Sequence, residues 1–154
     1  MMKYFLLVIV FLFSGFMAAH AADDGPITFE MLKKGKNIVE ENCIDCHELA
    51  WPMKKITDRA GWEKILTMMA NTGAVLDDED RKLVLEYLVA KVKFQTNCNQ
   101  CHAIERALEK NKEFQEWMGT VRRMVGKKPG LLTKDEIRDV AGFLAAKGAE
   151  TALY

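Results

Sequence analysis

Apolar side chains between residues 28 and 148 recur at three- and four-residue spacing, and the pattern is helical throughout. Thr28 supplies an N-cap for a first helix, Phe29 to Glu41. A second helix runs from about Asp58 to Ala70, with Gly73 beyond its end. Asp77, with Asp80 three residues on, opens a third that contains Leu83, Val84, Tyr87, Leu88 and Val92. A fourth spans about Lys112 to Val125, stopped by Gly126 and the Pro129-Gly130 turn. The last starts with Thr133 and Glu136 at capping-box spacing and ends near Gly148. The expected fold class is all-α.

The first twenty-odd residues are different. Lys3 precedes an almost purely apolar run, Tyr4 to Met17, and Ala19-His20-Ala21 fits the small-x-small pattern of a signal peptidase site. The reading is a signal peptide over residues 1–21, a mature chain starting at Ala22, and a periplasmic or otherwise extracytoplasmic location. Nothing later in the chain is long and apolar enough for a membrane span.

The chain also repeats itself. At an offset of 55, Gly35-Lys36 falls on Ala90-Lys91, Asn42 on Asn97, Trp62 on Trp117 and Met69 on Met124. With one extra residue in the second copy, Leu76 falls on Leu132, Val84 on Val140, Tyr87 on Phe143 and Leu88 on Leu144. Two units follow, residues 22–92 and 93–154 after the signal. The third helix closes the first unit and opens the second, and no Pro/Gly/Ser-rich linker separates them.

The same offset relates all four cysteines. Cys43-Ile44-Asp45-Cys46-His47 and Cys98-Asn99-Gln100-Cys101-His102 are two copies of C-x-x-C-H, the attachment pattern of c-type haem. Two thiols three positions apart can each add to a vinyl group on one porphyrin edge, and the adjacent histidine then reaches the iron. Disulfides predict no histidine after each pair; a zinc site does not require one and is commonest inside cells; a thioredoxin-like pair needs a βαβ context. Export, the doubled motif and full use of the cysteines agree on two covalently bound haem c groups.

His20 leaves with the signal, so the mature chain has only His47 and His102, both proximal ligands. The sixth position falls to methionine, to a rarer ligand such as lysine, or to nothing. Met69 and Met124 are the methionines paired across the repeat, each 22 positions after its haem histidine. Trp62, Ile65, Leu66 and Met69 share a helical face, as do Trp117, Thr120, Val121 and Met124. Met69 and Met124 are the expected axial ligands, with Met68 and Met53 as alternatives at the first haem. Core filling is the competing role. Arg122 and Arg123 are candidates for haem propionates or plain helix-surface charges, and the acidic run Asp77 to Asp80 is a partner contact or a helix start.

With these residues in place, the chain resembles a dihaem member of the cytochrome c superfamily. Gly35, eight positions before Cys43, and the closing pairs Tyr87-Leu88 and Phe143-Leu144 resemble the crossed terminal helices of small monohaem cytochromes c. Trp117 to Met124, followed by Asp135-Glu136-Ile137 to Phe143-Leu144, is similar to the haem-binding domain of quinohaemoprotein amine dehydrogenases. The resemblance implies tandem cytochrome c-like haem-binding units sharing a central helix. It departs from the small cytochromes c in the earlier placement of the methionine, and in Pro52, which falls opposite Ala107.

Formal net charge is zero with 22 basic and 22 acidic residues, which leaves no basic field for nucleic acid. The expected function is extracytoplasmic electron transfer between redox partner proteins, without enzymatic activity. The alternatives are a small dihaem peroxidase or reductase, for which no histidine is spare, and a fixed redox subunit of a larger dehydrogenase.

Overall fold

The computed structural model describes residues 25–147. The signal reading at residues 1–21 and the end of the last helix at Gly148 lie outside them. The described residues form seven helices and no strand: α1 (Phe29–Asn42), α2 (Ala50–Lys54), α3 (Arg59–Asn71), α4 (Asp78–Cys98), α5 (Glu105–Leu108), α6 (Phe114–Lys127) and α7 (Lys134–Ala146). The all-α expectation holds.

Local chemistry starts most of the long helices where the sequence predicts. Thr28 Oγ1 accepts from the Met31 amide at 3.2 Å, Asp58 from Gly61 at 2.8 Å and Asp77 from Asp80 at 2.7 Å. Thr133 and Glu136 complete a reciprocal capping box, at 3.2 and 2.9 Å. Gly73, at φ +113°, supplies the left-handed turn after α3. One terminator was misplaced. Gly126 lies inside α6, which starts at Phe114 and runs on to Lys127, and the left-handed residue is Gly130 at φ +84°. A helix glycine costs only about 1 kcal/mol. The buried face of Trp117, Met118 and Val121 holds α6 together against that. The short α2 and α5 were not anticipated.

The helix starts keep the repeat. Adding 55 to the first residues of α2 and α3 (50 and 59) gives those of α5 and α6 (105 and 114), and adding 56 to that of α4 (78) gives that of α7 (134). The unit boundary at Val92/Lys93 falls within α4, a single unbroken helix.

That helix is the centre of the packing. α1 and α7 lie against α4 and against each other, α3 packs on α4, and α6 packs on α7. α1 crosses α4 at backbone contact: a Cβ on Gly35 would stand 2.2 Å from the Leu83 carbonyl oxygen. Tyr87, Phe94 and Phe143 form an aromatic seam between α4 and α7, with centroid separations of 5.4 and 5.6 Å. Phe29 at the head of α1 stacks on Phe114 at the head of α6, at 5.2 Å. One continuous core therefore runs through both repeats.

Ion pairs fasten the outer helices to this frame. Arg59 on α3 meets the buried Glu86 at 2.6 Å, and Lys93 on α4 meets the buried Asp139 on α7 at 2.6 Å. Two lysines are themselves buried, Lys91 and Lys147, and they correspond across the repeat (91 + 56 = 147). The Lys91 ammonium donates to the carbonyls of Pro52 and Lys55, at 2.7 and 2.5 Å, and so ties down the C-terminal end of α2. Lys147 does the same for α5 through the Leu108 carbonyl, at 2.6 Å. Burial lowers both pKa values, that of Lys91 to about 7.

Candidate functional site

Each C-x-x-C-H segment occupies the turn between a long helix and a short one: the first follows α1 and precedes α2, the second ends α4 and precedes α5. In both, the first thiol is half-buried beside the core and the second is exposed. Burial raises the pKa of the Cys43 thiol; burial and the neighbouring Cys101 push that of Cys98 up to about 11. All four thiols are unbridged. Among the described residues no group of three or more Cys, His, Asp and Glu side chains stands close enough to hold a metal ion. The two thiol pairs therefore do not converge on a four-ligand zinc centre.

The two histidines are held alike. His47 Nδ1 lies 3.2 Å from the Glu48 carbonyl oxygen and His102 Nδ1 lies 3.0 Å from that of Ala103. A carbonyl only accepts, so Nδ1 carries the proton and donates. A neutral ring that donates through Nδ1 keeps its lone pair on Nε2, the arrangement a histidine needs to bind iron.

At the second motif the expected residues come together. Cys98, Cys101, His102 and Met124 line one cavity of about 460 Å³, between the end of α4, α5, α6, the turn before α7 and Leu144 near the end of α7. Its size falls within the range typical of cofactor sites. Phe94, Val121, Leu132 and Leu144 give it apolar walls. Its charged lining is entirely cationic: Arg106, Lys110, Lys112, Lys127 and Lys128, with no carboxylate. Arg122 and Arg123, the sequence candidates, are exposed and do not line it. The lining cations come from two separate stretches of chain, 106–112 and 127–128, so no single local run announced them.

The tryptophans carry a further signal. The indole Nε1 atoms of Trp62 and Trp117, equivalent across the repeat, are buried without an acceptor. An ammonium stands 5.0 Å from the centroid of each ring, Lys91 over Trp62 and Lys112 over Trp117. A buried donor with no partner costs about 1–3 kcal/mol, so its recurrence at both equivalent positions points to an acceptor supplied from outside the chain. A haem carboxylate is such an acceptor. The cationic lining, the apolar walls, the histidine tautomer and the orphaned indole all fit haem at the second motif.

In the first unit, Met69 is half-buried on the face of α3 that carries Trp62 and Leu66. Of the alternatives, Met53 is packed in the core and Met68 is exposed. His47 lies beside Trp51, with ring centroids 5.6 Å apart.

No protein-family model, curated protein or solved structure matches the chain.

Proposed function

We propose that the chain is an exported dihaem c-type cytochrome that carries electrons between extracytoplasmic redox partners. The observation that carries this reading is the convergence of Cys98, Cys101, His102 and Met124 on one cationic, apolar-walled cavity, in a chain whose first unit repeats the same residues at a fixed offset.

Each haem, when bound, supplies a one-electron iron couple. Cys43 and Cys46, and Cys98 and Cys101, would each hold one haem through thioether links. His47 and His102, each with Nδ1 tied to the following carbonyl, would offer Nε2 to the iron. Met69 and Met124 would offer a thioether sulfur to the iron, a ligand that raises the potential relative to histidine pairs and excludes small molecules. Lys112 and the Trp117 indole offer charge and a hydrogen bond to the haem carboxylates. That α4 runs unbroken across the boundary between the two repeats supports passage of an electron between haems.

Among the described residues no helix is long and apolar enough to cross a membrane. With the signal segment removed, an extracytoplasmic carrier is the consistent reading.

Mass spectrometry of the chain matured in a host competent for c-type haem attachment tests the proposal. The expected mass is that of the chain from Ala22 plus two haems, falling by one haem in Cys43→Ser/Cys46→Ser and in Cys98→Ser/Cys101→Ser. A bare polypeptide, or one carrying zinc, refutes it.

A further inference from the structure

The helix starts repeat around the two motifs, but the charges do not. Arg106, Lys110, Lys127 and Lys128 line the second cavity, and among the described residues none of them forms an ion pair. At an offset of 55 the first unit has Trp51, Lys55, Thr72 and Gly73, one cation in place of four. The motifs differ in the same sense, with Asp45 and Glu48 where the second has Gln100 and Ala103. The ammonium over each buried indole, Lys91 or Lys112, is common to both units and does not separate them. The sharpest contrast falls four positions after each histidine. The Trp51 ring centroid lies 5.6 Å from that of His47, whereas Arg106 brings a guanidinium to the cavity that His102 lines.

We propose that the two sites hold an electron unequally, the second more tightly, and that the side chains at positions 51 and 106, with the cations beside Arg106, set this order. The inference rests on the electron-transfer reading and deepens it by giving the direction of transfer within the chain. Oxidation adds one unit of positive charge at the iron. Cations around the second cavity oppose that charge, and the apolar walls of Phe94, Val121, Leu132 and Leu144 limit the water that would screen them. Glu105, Glu109, Glu113 and Glu116 lie nearby in sequence, yet none lines the cavity. At the first motif Asp45 and Glu48 favour the oxidised form, and the Trp51 π system favours positive charge on the His47 ring beside it. Each of these differences acts in the same direction. One electron taken from a donor partner by the first site therefore passes to the second before it leaves for an acceptor partner, with no bond made or broken.

Potentiometric titration of the haem-loaded protein, with haem content measured on the same samples, tests the order. The wild type is expected to reduce in two one-electron steps that differ at least ten-fold in affinity for the electron, or about 59 mV. Arg106→Gln/Lys110→Gln/Lys127→Gln alters exposed positions only; it should lower the upper step, leave the lower one in place and bring the preference below about ten-fold. Arg106→Lys/Lys110→Arg/Lys127→Arg keeps the charges and should keep the preference. Trp51→Leu should raise the lower step alone. Added salt should narrow the wild-type interval, because the cations are exposed. Coincident steps in the wild type, an unmoved upper step in the glutamine variant, or equal shifts in the glutamine and charge-keeping variants overturn the proposal. So does a fall of the lower step in the glutamine variant, which reverses the order. Fewer than two haems per chain defeats the electron-transfer reading itself, whereas two haems with any of those titration results defeats only the order.

Discussion

Replacing Lys91 by methionine isolates the most unusual charge in the frame. Lys91 is fully buried, its ammonium lies between the Pro52 and Lys55 carbonyls, and the Trp62 ring stands 5.0 Å away. Burial lowers its pKa from 10.5 to about 7. In the unfolded chain the ammonium titrates near its ordinary value, so between about pH 7 and pH 10.5 the unfolded state binds the extra proton. Stability therefore rises with pH across that window and is lost as pH falls through it. At about 1.4 kcal/mol per pH unit, the full window amounts to about 5 kcal/mol, an upper bound because the carbonyls and the indole face favour the charged form. Methionine keeps the apolar stem and removes the titration. It also leaves two carbonyls without donors, at about 1–3 kcal/mol each. Urea unfolding of the haem-loaded wild type and Lys91→Met, near pH 7 and near pH 10, reads both effects. The wild type should gain on the variant by several kcal/mol at the higher pH. Parallel pH dependence in the two proteins would refute the buried, weakly basic lysine.

Two further outcomes follow. Met69→Ala and Met124→Ala should each remove half of the thioether-to-iron charge-transfer band at the red end of the oxidised spectrum, and retention of the full band in either variant would displace that methionine from the iron. Gly35→Ala puts a methyl group 2.2 Å from the Leu83 carbonyl oxygen and should destabilise by about 1–3 kcal/mol. Gly119→Ala on α6 meets nothing within 4 Å and should stabilise by up to about 1 kcal/mol; urea midpoints that fail to separate the two would contradict the tight α1/α4 crossing.

What the chain declares locally, the structure follows. Thr28, Asp58, Asp77 and the Thr133/Glu136 pair cap helices because each bond spans three residues, well within the reach of a sequence pattern. The tandem offset, visible in Trp62/Trp117 and Met69/Met124, reappears in the helix starts. Gly126 misled because a lone glycine is a weak stop beside a buried apolar face. The four- and five-residue α5 and α2 carry too few positions to show a period.

Only the tertiary fold decided which charges are buried and which gather. Nothing around Lys91 or Lys147 marks them as interior, since the carbonyls that receive them lie 39 and 36 positions away for Lys91 and 39 for Lys147. A lysine needs such acceptors before it can leave water. The cationic cavity is likewise assembled from α5, α6 and the stretches beside them, and Arg122 and Arg123, adjacent to Met124 in sequence, are turned out of it. Short-range hydrogen bonds and helical periodicity are written residue by residue, whereas burial and electrostatic grouping depend on which helices meet.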